Sequence, residues 1–273
     1  MKRVNILCID TTSEFCSVSL FENQTLIENN NSKIERSHSK LLVNLVDDIL
    51  INNNLKINEL AAFSISKGPG SYTGLRIGLS SIKGFCYALG KPLISINTLK
   101  VLAKSALKHI NDKDSILCPM IDARRMEVYT KCYDYNLNEI TSDKAIILEK
   151  DSFDKLKDKS VYFFGDGAQK FNDIINRENF IFLDNINPDS KFMGELSYDK
   201  FVNNQFEDLP SFEPNYIKDF YLNWCNGKEK RCNTTRDMGK KKAYIYGNTF
   251  YYTYWLVVCT ENLVCLLYTS DAA

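Results

Sequence analysis

The sequence predicts an α/β protein of two similar lobes, each a mixed sheet with helices packed against it. Three observations lead there. A triplet of short strands followed by a helix occurs near the N-terminus and recurs, more weakly, in the second half. Apolar residues switch along the chain between strand alternation and helical spacing. Glycine-containing loops, Gly68-Pro-Gly70 and Gly165-Asp-Gly167, each join a short apolar strand to a helix. A chain of 273 residues, 44% hydrophobic, has enough material for both lobes.

The elements follow in order. Residues 4–10 form an apolar, β-branched run that reads as a buried first strand; it is too short for a secretory h-region and ends in an acid. Cys16 to Phe21 alternates and Thr25 to Glu28 continues the pattern, giving a three-stranded meander. Ser37 is placed to cap a helix running through Leu41, Leu42, Leu45, Val46, Ile49 and Leu50. Ala61 to Ser66 is a short buried strand, and the loop 67–73 leads into a helix that stops at Gly90, before Pro92. A strand to Ile96 and a helix over Leu99–Leu107 come next. Strands are expected at Ile116–Ile121, Val128–Tyr133 and Val161–Phe164, then helices at Ala168–Ile175 and Met193–Asn203.

Charge narrows the function classes. Lys plus Arg equals Asp plus Glu at 34 each, and seven of the bases but only four of the acids lie in residues 224–273, so the remainder is mildly acidic. That balance argues against a chain that grips nucleic acid alone, which needs clustered cations. The nine cysteines show no paired CxxC spacing. Cys8, Cys16, Cys86 and Cys118 sit in apolar runs, where a reduced thiol acts as a small hydrophobe.

Two helices carry more apolar surface than one sheet face uses. In the helix from Thr73 to Leu89, Leu75, Leu79, Ile82, Cys86 and Leu89 form one stripe, and Gly74, Gly78, Ser81, Phe85 and Ala88 form another. The helix after Ser37 is broadly apolar too. Either the pair packs on itself and the sheet, or it presents a joint face to another protein. For a partner face the candidates are Leu41, Leu45, Gly74, Gly78, Ser81 and Phe85.

Phosphate-site signals are present but incomplete. Asp10-Thr11-Thr12-Ser13 follows the first strand, where a carboxylate, hydroxyls and amides can hold Mg²⁺ and phosphate. Gly68, Gly70 and Ser71 precede a helix N-terminus and suit an anion, or simply a turn that needs two glycines and a proline. No Gly-Lys-Ser/Thr follows, so the loop is not a P-loop. In the second lobe the matching turn is Asp122-Ala-Arg124-Arg125, where arginines stand in place of the glycines that bring amides close to phosphate. Only His38 and His109 occur, so no two-histidine metal helix is possible, and no Gly-x-Ser-x-Gly elbow is present. No catalytic residue and no metal ligand is assigned.

Taken together, Ile9-Asp-Thr-Thr-Ser13, Arg36-Ser-His-Ser39, Gly68-Pro-Gly-Ser-Tyr-Thr-Gly-Leu-Arg-Ile-Gly-Leu79, Asn97-Thr-Leu99, Asp122-Ala-Arg-Arg-Met-Glu-Val-Tyr129, Gly165-Asp-Gly-Ala168 and Pro214-Asn-Tyr-Ile-Lys-Asp219 resemble the TsaB family, in its order, across roughly residues 1–222. The resemblance implies two RNase H-like lobes of the actin/Hsp70-like (ASKHA) fold. It implies a cytoplasmic role in making N6-threonylcarbamoyladenosine at position 37 of tRNAs reading ANN codons. The paralogue TsaD would carry the metal and the transfer chemistry and pair with this chain through first-lobe helices; the ATPase TsaE would join them. On that basis the chain has no cofactor of its own, with ATP and a metal ion expected on partner subunits, tRNA reached through the complex, and no membrane contact. A homodimer through the same helices and an independent ATPase or small-molecule kinase of this fold are the alternatives.

The expected organisation is a first lobe over 1–97, a second over 98–205, a segment at 206–223 packing back on the body, and a tail at 224–273. The tail departs from the family pattern, holds both tryptophans and four cysteines, and is expected to be artefactual or disordered.

Overall fold

The computed structural model describes residues 3–33, 38–218, 220–222 and 230–232. It divides into a unit ending at Lys218 and a second beginning at Asp219. Ser37 and the side chain of His38 fall outside the described residues, as does the tail expected at 224–273 apart from residues 230–232.

In the first unit, β1 (Asn5–Asp10), β2 (Phe15–Glu22), β3 (Thr25–Lys33), β4 (Ala62–Ser66) and β5 (Leu93–Ile96) form a sheet in the order β3-β2-β1-β4-β5. The β1–β2 and β2–β3 pairs are antiparallel, and β1–β4 and β4–β5 are parallel. Central β1 and β4 are covered on both faces, so β1 reads as an apolar run from Ile6 to Ile9, while β4 buries Ser64 and Ser66 among its apolar residues. Helices α1 (His38–Asn52) and α2 (Tyr72–Leu89) cover one face, with Leu42, Val46, Ile49, Ile82 and Cys86 packed on Leu7, Ile9 and Val18. Gly90 ends α2 at φ 62°, where its N–H reaches the Cys86 carbonyl and a side chain would strain the left-handed backbone.

The second sheet comprises β6 (Ile116–Asp122), β7 (Glu127–Thr130), β8 (Lys144–Ile147), β9 (Val161–Phe164) and β10 (Phe180–Leu183), ordered β10-β9-β6-β7-β8. From β8 inward it repeats the first sheet's order and strand directions. The two-lobed actin-like α/β architecture is therefore visible as a duplicated topology. Strands β8 and β10 are absent from the sequence expectation: each has four residues on a sheet edge, too short for a period to register. Helix α3 (Thr98–Ala106), capped by Asn97, packs on one face of this sheet, and α4 (Ala168–Asn172) with Phe153, Phe163 and Phe171 on the other. Helix α4 is shorter than expected.

One boundary needs correcting. Residues 190–202, expected in the second lobe, pack on the first sheet instead. The 3₁₀ turn Ser190–Phe192 and α5 (Gly194–Val202) lie on the face of β1, β2 and β5 opposite α1, with Met193 in a core of Ile6, Cys8, Phe21, Ala62 and Ile94. Buried serines tie the layers, Ser64 to Ser197 at 2.7 Å and Ser19 to Ser190 at 2.6 Å. Residues 207–218 continue along the body: Glu207 N–H donates to the Leu93 carbonyl, Asn215 N–H to the Lys67 carbonyl, and Leu209 and Phe212 meet the first core. The second unit contains an antiparallel pair, β11 (Phe220–Leu222) with β12 (Lys230–Cys232). Among the described residues no helix is long and apolar enough to cross a membrane.

Candidate functional site: two filled turns and an open helix pair

The turn after β1 is filled from within. Asp10 is 0% exposed, and its carboxylate accepts hydrogen bonds from Thr12 N–H at 2.9 Å, Thr12 Oγ1 at 2.7 Å and Ser66 Oγ. Burial pushes its pKa up, the hydrogen bonds from Ser66 and Thr12 oppose the shift, and the nearby Asp189 charge adds to it. Thr11 Oγ1 donates to the Gly74 carbonyl at 2.8 Å, and Ser71 N–H donates to the Thr12 carbonyl at 2.7 Å. Amides at the start of α2 are thus already engaged: Gly74 N–H caps onto Ser71 Oγ at 3.2 Å.

Glycines 70, 74 and 78 make this closure possible. A Cβ on Gly70 would lie 2.6 Å from the Thr12 carbonyl oxygen; on Gly74 it would fall on the Thr11 carbonyl, and on Gly78 on Thr11 Oγ1. Gly74 and Gly78, expected to admit a partner helix, are buried against the chain's own Thr11 turn. Gly68, with φ 103°, donates to Thr98 Oγ1 and accepts from Thr98 N–H, so the Gly-Pro-Gly loop joins β4 to α3.

The second turn keeps a glycine-like backbone under arginine side chains. Arg124 and Arg125 have φ of 67° and 52°, left-handed values that favour glycine. Asp122 accepts from Arg124 N–H at 2.5 Å and from Lys170 Nζ at 2.7 Å, and Lys170 also reaches the Arg125 carbonyl. Burial alone would raise the Asp122 pKa, but its bonds with Lys170 and the Arg124 amide outweigh that and lower it. Asp166 accepts from Asp122 N–H at 2.9 Å, and burial raises its pKa.

Between these turns, Glu14 of the first lobe and Gly165 and Asp166 of the second line a cavity of about 290 Å³ together with Asp184. Among the described residues no lysine or arginine lines it. In the first turn the leading carboxylate is buried and the Ser71 and Gly74 amides are already bonded, and neither turn contributes a residue to the cavity. Nor do three or more His, Cys, Asp or Glu side chains cluster for a metal among the described residues.

Of the other expected partner residues, one is buried and three keep part of their surface open. Leu45 is buried, Leu41 and Ser81 are half-buried, and Phe85 stacks on Phe63 at 5.7 Å. Different columns of the same helices are open. On α1 they are Val43, Asp47 and Ile51, the last 72% exposed; on α2 they are Ser80, Gly84 and Tyr87, the last 85% exposed. A Cβ on Gly84 would meet nothing within 4 Å. The columns were hidden in the sequence because Gly84 and Tyr87 lie outside both stripes.

A second feature had no sequence signal. Lys131, with a side chain 7% exposed, lies 2.7 Å from Glu139 and 3.0 Å from Asp143. Asp143 also accepts from Asn97 Nδ2 at 2.7 Å and Asn215 Nδ2 at 2.6 Å. One carboxylate therefore ties both lobes and the C-terminal segment at the edge of a cavity of about 540 Å³.

A family model described as TsaD, tRNA N6-adenosine threonylcarbamoyltransferase, matches residues 26–219. The tRNA threonylcarbamoyladenosine biosynthesis protein TsaB of Bacillus subtilis is 30% identical over 187 residues, 65% of this chain and 80% of the relative. TsaB of Haemophilus influenzae is 26% identical over 231 residues, 80% of this chain and 95% of the relative. Among solved structures, YeaZ from Pseudomonas aeruginosa superposes with a TM-score of 0.67 at 22% identity, over 78% of this chain and 99% of its own.

Proposed function

Since the chain belongs to the TsaB family of tRNA threonylcarbamoyladenosine biosynthesis proteins, we propose that it is the non-catalytic partner of a TsaD-type threonylcarbamoyltransferase. The observation that carries this reading is in the first lobe. Its phosphate turn is sealed by Asp10, Thr11 and Thr12, while the helices beside it leave Ile51 and Tyr87 in solvent. Large apolar side chains so exposed on adjacent helices suit a helical partner, and Gly84 lets a second backbone approach. TsaD would dock on the columns Val43, Asp47, Ile51 and Ser80, Gly84, Tyr87. ATP and the metal would reside on partner subunits, TsaE would join the pair, and tRNA would be met in the assembly, in the cytoplasm.

The test is co-expression of the full chain with TsaD of the same organism, followed by size-exclusion chromatography with light scattering. A one-to-one complex that Gly84→Glu and Ile51→Glu each dissolve, with unchanged circular dichroism, supports the assignment. A complex indifferent to both substitutions overturns the face. No complex at all, with the chain dimeric or hydrolysing ATP alone, overturns the function.

A further inference from the structure

Cys118 on β6 and Cys132, just beyond β7, stand directly opposite each other. The register runs Met120↔Thr130 and continues to a bridge between Leu117 and Tyr133, which exchange both backbone hydrogen bonds at 2.9 Å. Ladder positions alternate, so the Cys118–Cys132 pair between them is a non-hydrogen-bonded one, where antiparallel backbones come closest, about 4.5 Å between Cα atoms. That spacing lies at the near end of the range a disulfide spans. Cys132 N–H is bonded to Thr141 Oγ1 at 2.9 Å and makes no demand on β6. The two sulfurs are 2.9 Å apart, with no side chain between them. Both thiols are buried in the second lobe's core, among Val128, Phe163 and Phe171.

From this juxtaposition we propose that Cys118 and Cys132 are a reversible dithiol–disulfide site within the second lobe. The oxidant is hydrogen peroxide. Cys132 is the first nucleophile, because it sits beyond the end of β7 with its amide held by Thr141, while burial on β6 holds Cys118 far above the usual thiol value. The Cys132 thiolate attacks the peroxide oxygen, giving a sulfenic acid and releasing water once its proton is counted. Cys118 sulfur then displaces the sulfenic oxygen, its own proton leaving in a second water. Two thiols and one peroxide give one disulfide and two waters, a two-electron oxidation that a dithiol reductant reverses. The bond would staple β6 to β7, the strands that carry the Asp122–Arg125 turn.

The experiment treats the folded full chain with hydrogen peroxide, blocks remaining thiols with an alkylating agent, and maps tryptic peptides by mass. Expected is a linked pair, residues 114–124 joined to 132–144 with loss of two hydrogens, present before but not after dithiothreitol. It should vanish in Cys132→Ala, whose Cys118 is then recovered alkylated after denaturation. Recovery of both wild-type peptides as alkylated thiols overturns the site. So does oxidation of either cysteine only to sulfinic acid, or only to disulfides with cysteines elsewhere in the chain.

Discussion

Gly74→Ala and Gly84→Ala make the same chemical change on the same helix, and the structure assigns them opposite outcomes. At Gly84 the added methyl meets nothing within 4 Å, so only helix propensity acts, and the variant gains about 1 kcal/mol. At Gly74 the same gain is offset by a methyl placed on the Thr11 carbonyl, which is backbone and cannot rotate away. The turn after β1 must move, at an overpacking cost of about 1–3 kcal/mol. It also strains the Thr11 Oγ1 bond to the Gly74 carbonyl, worth about 1 kcal/mol. A net loss of roughly 1–3 kcal/mol follows, so the two variants should differ by about 2–4 kcal/mol. For a body of this size that is a gap of roughly 4–16 °C in Tm. Thermal and urea melts followed by far-ultraviolet circular dichroism give the comparison. Equal melting of the two variants would refute the placement of Gly74 against Thr11 and restore it as a partner-facing residue; in that case Gly74→Ala should weaken TsaD pairing instead.

Other substitutions test the remaining features. Arg124→Gly relaxes a φ of 67° and should be neutral or stabilising by up to about 1 kcal/mol in urea melts; a clear loss would mean the guanidinium holds a contact that offsets the strain. Lys131→Met strands Asp143 with only Asn97 and Asn215, costing about 2 kcal/mol, less than a fully buried pair because Glu139 is largely exposed. Burial disfavours the Lys131 charge, but Glu139 and Asp143 outweigh it and raise the pKa. The stabilisation is then full below the ordinary lysine value of 10.5 and is lost only as pH climbs through the raised one. Wild type should converge on Lys131→Met only in strong alkali, and convergence already at pH 9 would count against the ion pairs. Asp10 behaves in the opposite sense from a paired carboxylate. With its folded pKa raised, its contribution is full below the ordinary 3.8 and fades as pH rises, so Asp10→Asn should compare better with wild type at pH 8 than at pH 5. A pH-independent difference in urea midpoints would overturn that.

Much of the architecture was legible because its signals are long. The strand β1, the helix α2 with its Gly90 stop, and the Asn97 cap each involve several residues pointing one way. Strand β3 was partly legible: Asn29, Asn30 and Asn31 are poor strand formers, yet pairing with β2 carries them to Lys33. At the site, the degraded second turn could be read from Arg124 and Arg125, because a demand for positive φ is a local property. The orientation of α2 could not. Gly74 and Gly78 mark a close approach, but whether the approaching backbone is a partner's or the chain's own turn is decided by the seating of Thr11, a contact 63 positions away. The Lys131–Asp143 knot was likewise invisible, since it draws on four separate stretches of chain.

The return of α5 to the first sheet has a consequence for how the protein is made. Cys8, Ser64 and Ile94 line a face that Val101 of α3 shares and that Met193 and α5 complete. A ribosome adding roughly 5–20 residues each second needs on the order of 5–20 s to pass from the end of β5 to the end of α5. During that interval the nascent first lobe carries a partly roofed apolar sheet, a natural substrate for holdases, and a chain released early would enter solution with much of that face bare. Released chains truncated near residues 97 and 205 should therefore differ sharply in protease resistance, with protection of the N-terminal sheet arriving only with the longer one.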